Sequence, residues 1–304
     1  MKLGVVFPTT DIGADAVAVR DFVVAVEELG YDRILFYDHV LGADPSARRA
    51  ELEGFYTHSS HFHEVMVLMG YCAAITQRIE LATGVLVATQ RQTALIAKQA
   101  AEVAILSNYR LSLGLGIGWN PHEYEGMGVP FTQRGARLDE QVEVLRLLWS
   151  GNAVSFAGQF HTLDRVGISP LPDKPIPLWF GGSSDAALDR AAKVGDGFTF
   201  MGADVERVLQ RSRALTDRLN REGRSKEPFG REMLVTFAQG APHWHTSGAA
   251  FSDAGGTHLT MRSMEDNADW SGQPRVGVRT IEQHIRAAQT FIRFWTDRNS
   301  LGTS

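Results

Sequence analysis

The chain is nearly devoid of cysteine, with only Cys72 among 304 residues. One cysteine excludes an internal disulfide framework and any cysteine-based zinc site, and it fits a reducing compartment. Charge of one sign is also lacking: 30 Lys and Arg stand against 35 Asp and Glu, a formal net charge of −5, with no basic block. Neither nucleic acid nor an anionic membrane surface is an expected partner. Long hydrophobic runs are missing too: none reaches the ~18 apolar residues of a membrane span, and the Met1–Pro8 start is too short in apolar residues for a signal peptide. The expected location is the cytoplasm. No G-x-S-x-G elbow and no P-loop occurs, which removes support from hydrolase and kinase readings. The turn after the first apolar run, Pro8-Thr9-Thr10-Asp11, has no glycine, so the dinucleotide-binding turn of a doubly wound sheet is absent.

What the chain does have is rhythm. Apolar runs at Leu3–Phe7, Ile34–Tyr37, Ile79–Val87, Leu111–Gly116, Ile176–Phe180, Phe198–Phe200, Met233–Phe237 and Thr257–Met261 read as strands. Between them, helical patterns cover Asp15–Leu29, Val65–Gln77, Thr93–Leu106, Arg134–Trp149, Asp185–Val194, Val205–Asn220, about His245–Ala254 and Thr280–Thr296. Eight strand–helix units without a composition break predict an α/β fold of one domain spanning residues 1–304, a (β/α)8 TIM barrel with insertion segments. A barrel of this kind takes about 250 residues. The surplus falls in two stretches that break the rhythm, residues 40–64 and 152–175, the second containing a hairpin-like Phe156-Ala157-Gly158-Gln159-Phe160.

In such a barrel the site forms at the C-terminal strand ends. Gly181-Gly182-Ser183-Ser184-Asp185 follows a strand and opens a helix. It reads either as a phosphate cradle of backbone N–H groups or as a simple serine helix cap with a glycine turn. Gly114-Leu115-Gly116-Ile117-Gly118 fails the G-x-G-x-x-G spacing because Trp119 stands at the third glycine. Its glycines either pack closely within the barrel or leave room at Gly116 and Gly118 for a flat ring flanked by Trp119. Asp38-His39 ends the second strand, where His39 is a packed histidine or a proton carrier near neutral pH. His58, His61, His63 and Glu64 are close enough in sequence to suggest a metal, but solvated loop histidines or substrate contacts are the simpler expectation, so no metal is assigned.

With these residues in view the chain resembles the luciferase-like monooxygenase superfamily, in its short coenzyme F420-dependent oxidoreductase branch. The resemblance runs through Leu3–Pro8, Tyr37–Val40, Arg78–Val87, Ala97–Ala101, Leu113–Asn120, Gly128–Phe131, Arg134–Glu140, Trp179–Ser184 and Gly195–Phe198. It weakens after about residue 222 and returns at Gly255–Leu259. It implies a barrel that binds coenzyme F420, or less often FMN, and transfers a hydride to or from a small organic substrate. By the resemblance, His39 is the catalytic acid or base. Asp38, Thr83, Gly84, Val85, Gly118, Phe180, Gly181, Gly182 and Ser183 bind the cofactor, with a cis peptide bulge expected in the Thr83-Gly84-Val85 strand. Trp119, His61 and His63 are expected to face the substrate. The sugar-phosphate dehydrogenases of the family carry a catalytic glutamate where this chain has Trp119, which puts a glucose-6-phosphate type mechanism in doubt. The resemblance further implies a homodimer. The alternative is an FMN-dependent two-component monooxygenase that needs a flavin reductase as partner, and a third reading is a non-catalytic flavin-binding barrel.

Overall fold

The computed structural model describes residues 1–44, 46, 56–202, 204–266, 268 and 272–301. Part of the 40–64 insertion therefore lies outside the described residues. Eight parallel positions close into a barrel: β1 (Lys2–Val6) pairs with β2 (Arg33–Phe36), β2 with β3 (Glu80–Thr83), and β3 with β5 (Leu111–Gly116). The circuit continues through β8 (Leu178–Gly181), β9 (Gly197–Phe200), β10 (Gly230–Thr236) and β11 (His258–Arg262), which returns to β1. The apolar run Ile79–Val87 is not one strand. It breaks at a cis Gly84–Val85 peptide and resumes as the short β4 (Leu86–Val87), again paired with β5.

The helices follow from amphipathic spacing. In α2 (Ala16–Glu28) Val19, Phe22, Val23 and Val26 form the buried stripe, and Asp15 caps the start by accepting from the Val17 amide at 2.9 Å. Helices α3 (Val65–Ile75), α4 (Thr93–Leu106), α6 (Arg134–Ser150), α7 (Asp185–Val194) and α8 (Val205–Arg221) complete most of the outer ring. Helix α9 (Gly240–Asp253) begins five residues earlier than its pattern suggests, because Pro242 lies in the first turn, where a missing N–H costs no hydrogen bond. Helix α10 (Ile281–Leu301) closes the ring beside α2. Two short helices were not legible from periodicity: α1 (Thr9–Ile12) and α5 (Pro121–Gly126), the latter capped by Asn120.

The second insertion folds as the antiparallel hairpin β6 (Val154–Ala157) and β7 (Thr162–Val166). His161 pins it to the helices, with Nε2 2.6 Å from the Thr93 hydroxyl and Nδ1 2.7 Å from a Glu140 oxygen. Cys72 is packed in the core, and burial pushes its thiol up to about 12, so it is protonated and inert.

Candidate active site

A cavity of about 580 Å³ opens at the C-terminal strand ends, a size suited to a cofactor or substrate. Residues from seven barrel positions reach it, including Asp38, His39, Val85, Gly118, Trp119, Gly182, Met201, Thr236 and Arg262.

One wall is a glycine cradle. Gly182 sits at φ +130°, a conformation that L side chains rarely adopt, and a Cβ at Gly181 would meet Val85 Cγ1 at 3.0 Å. Ser184 caps α7 by accepting from the Ala187 amide at 3.3 Å. The serine-cap reading is therefore correct for Ser184, while Gly181, Gly182 and Ser183 still line the cavity. Arg190 also lines it, held by Asp139 at 2.5 Å and by the Gly135 carbonyl at 3.1 Å. Arg211 donates to the Gly182 and Ser184 carbonyls. The N-terminus of α7 thus opens on this wall beside Arg190, with Asp139 and Asp185 as the nearby carboxylates.

The floor is the broken strand. Val85 follows the cis peptide, and Cβ atoms at Gly116 and Gly118 would strike Val85 and Val87 at 2.3 and 2.7 Å. The close-packing reading of these glycines holds, since they let β5 approach the bulge, and both also line the cavity.

The opposite wall is built on His39. Its Nδ1 lies 3.2 Å from Glu123 Oε2, and Glu123 Oε1 accepts from the Val40 and Leu41 amides at 2.5 and 3.2 Å. Burial acts to raise the Glu123 carboxyl, but the bonds from His39 and Val40 outweigh it and hold the group below the usual carboxylate range. Glu123 is 1% exposed and His39 12%, so the ring is anchored on one nitrogen and reaches the cavity with the rest. Tyr56, Phe62 and Trp119 surround the imidazole with ring centroids 5.0, 4.9 and 5.7 Å away.

Asp38 lines the cavity, yet both its oxygens are engaged: Oδ2 accepts from the Val87 amide at 2.9 Å and Oδ1 from Arg91 at 2.6 Å. Burial pushes its carboxyl up despite these partners. Its place is behind the bulge, which it fastens to β2. Thr83 is also a support residue, 1% exposed and donating to the Gly114 carbonyl at 2.7 Å without lining the cavity. His61 and His63 depart from expectation. His61 is exposed, the His63 Nε2 sits 3.0 Å from the Gly13 carbonyl, and neither lines the cavity. From the same segment Tyr56 lines the cavity, and Phe62 packs on His39 behind it. Glu123, Arg91, Arg190 and Arg262 were not singled out from sequence. In sequence Glu123 is one of two glutamates, with Glu125, in the short stretch after β5, and nothing there marks which of them faces His39.

The luciferase-like monooxygenase family model matches residues 1–277. The chain belongs to that family. An uncharacterized protein of Mycobacterium tuberculosis is 40% identical over 168 residues, 55% of this chain and 58% of that protein. An F420-dependent glucose-6-phosphate dehydrogenase of Nakamurella multipartita is 30% identical over 226 residues, covering 72% and 63% respectively. The matches thus span less than two thirds of the length of these relatives. Among solved structures, the coenzyme F420 dependent tetrahydromethanopterin reductase of Methanopyrus kandleri superposes with a TM-score of 0.72 at 13% identity, over 95% of this chain and 97% of that one. A monooxygenase from Streptomyces bottropensis superposes at 0.71 and 18% identity, over 98% and 100%. At such identities the two structures speak for the shared barrel.

Proposed function

We propose that the protein is an oxidoreductase that binds coenzyme F420 and exchanges a hydride with a small organic substrate, with His39 as the proton carrier. The observation that carries this reading is the pairing of a glycine cradle at Gly181–Ser183 with a carboxylate-anchored histidine across one cavity. The residues present suit such a cofactor. A side chain at Gly118, Gly181 or Gly182 would intrude on the space or strain the backbone, and Arg190 adds a cation where a phosphodiester would sit. A bound deazaflavin would supply the hydride chemistry. Val85, Gly116 and Gly118 would support its ring, Gly181–Ser183 and Arg190 its phosphate. Glu123 fixes the Nδ1 side of His39, which leaves Nε2 to give or take the proton of a substrate oxygen.

The relatives named as F420-dependent support this cofactor. The shared barrel of the Streptomyces monooxygenase keeps a second reading in view, an FMN-dependent monooxygenase supplied by a separate reductase. A third, a barrel that binds flavin without catalysis, predicts binding but no turnover. Fluorescence titration with F420 and with FMN tests the choice of cofactor, and reduction or oxidation of bound F420 across an alcohol and ketone panel tests turnover. We further propose a homodimer built on α3, whose Val67 and Tyr71 are 69% and 40% exposed. The buried Cys72 accords with the cytoplasm as its location.

A further inference from the structure

We propose that Arg211, on α8 and outside the cavity wall, is a positioning residue for the cofactor phosphate: it holds two carbonyls of the glycine cradle so that the amides beside them face the cavity. This rests on the reading of Gly181–Ser183 as the phosphate-binding wall of an oxidoreductase site. Helix α8 is set against α7 by its buried stripe of Val208, Leu209, Ser212, Leu215 and Leu219. Arg211 and Arg218, two turns apart, share one face of it. Arg218 takes the carboxylates of Asp185 and Asp189 on α7 at 3.2 and 2.6 Å. Arg211 reaches the backbone instead. Its Nη2 donates to the Gly182 carbonyl at 3.2 Å and to the Ser184 carbonyl at 3.1 Å.

Peptide geometry converts these two bonds into an orientation. The Gly182–Ser183 and Ser184–Asp185 peptides are trans, so the N–H of each points opposite to its C=O. Gly182, Ser183 and Ser184 line the cavity, whereas the half-buried Arg211 does not. With both carbonyls turned toward α8, the Ser183 and Asp185 amides are turned to the cavity side, where a phosphate oxygen can accept from them. Asp185 is the first residue of α7, so its N–H has no partner within the helix. A holder matters at this turn because Gly181 and Gly182 have no side chain to restrict rotation, and Gly182 sits at φ +130°. Without Arg211 the turn would be ordered only when the cofactor binds, and that entropy cost would come off the affinity.

Fluorescence titration tests this with two ligand pairs, each differing only in the phosphate: a deazaflavin monophosphate and its dephosphorylated alcohol, and FMN and riboflavin. Arg211→Met keeps the aliphatic stem and removes the donors. The wild-type protein should bind the deazaflavin monophosphate at least about thirtyfold more tightly than the alcohol. Arg211→Met should cut that ratio by about tenfold and leave the alcohol within about twofold of wild type. The loss should persist at about 1 M salt, where separated charges are screened, because Arg211 acts through the backbone and not by attracting the phosphate. Arg211→Gln, too short to span both carbonyls, should give the same loss if the methionine variant fails to fold. An unchanged ratio in the variant that folds overturns the proposal, as does an equal loss for both members of a pair or a loss that vanishes at high salt. If only the flavin pair binds, the F420 reading falls and the FMN to riboflavin ratio decides the role of Arg211. If the wild-type protein prefers the phosphate in neither pair, the cradle reading falls and the proposal with it.

Discussion

Glu123 uses both carboxylate oxygens at the mouth of the barrel, one on His39 and the other on two backbone amides of the following segment. It therefore sets the orientation of the imidazole without reaching the cavity itself. His39→Gln should lower turnover by about 10² or more and leave F420 affinity within about threefold, as measured by steady-state kinetics and fluorescence titration. Glu123→Gln keeps the shape but weakens the bond to Nδ1; a fall of roughly tenfold in kcat with little change in cofactor affinity is expected. On the cradle, Gly182→Val forces a β-branched residue into φ +130° and should weaken cofactor binding by at least about tenfold. Wild-type affinity in that variant would move the phosphate elsewhere. The strand-end position of His39 and the double glycine were readable from the sequence. The choice of Glu123 over Glu125 was not, because it depends on which face of the short helix α5 turns toward His39, and six residues carry too little periodicity to say.

At the scale of elements, Arg91 ties three pieces together. It follows the turn after β4, binds Asp38 at the end of β2, and holds Glu64, whose other oxygen caps α3 at the Val67 amide. Arg91→Ala would leave Asp38 buried without its cation, so a loss of about 3 kcal/mol in stability is expected from denaturant unfolding. Near-wild-type stability would show the cross-link to be dispensable. Helices with a clear apolar stripe or a strong cap, such as α2, α4 and α7, were legible to within a residue or two. Ile79–Val87 misled, since an unbroken apolar run carries no mark of the strand break at the cis Gly84–Val85 peptide; only the resemblance pointed to it. The 40–64 segment resisted for a different reason. Its contribution to the site comes from Tyr56 and Phe62 packing on His39, a tertiary contact that no local pattern specifies.

Across the whole molecule the two ends of the barrel divide their tasks. The N-terminal end is plugged by buried charge: Arg33, fully buried, stacks 4.0 Å over Trp179 and lies between Glu80 and Glu232, with the His258 ring edge-on to the same tryptophan. Burial first, and then Arg33, pushes His258 down to about 4. The unfolded chain takes up this proton near pH 6.5 and the native protein only near 4, so stability falls as pH drops through that window. His258→Gln should flatten that part of the profile of melting temperature against pH; an unchanged slope would assign acid sensitivity to other groups. The eight-unit rhythm made this architecture readable at the outset, whereas the plug was hidden because its members come from separate strands.

The C-terminal end holds the cavity on which the functional account depends. Its most direct test is a parallel fluorescence titration of the purified protein with coenzyme F420 and with FMN. The account predicts saturable F420 binding with a dissociation constant below about 10 µM, and FMN binding at least tenfold weaker. Tight FMN binding with no F420 binding would contradict it.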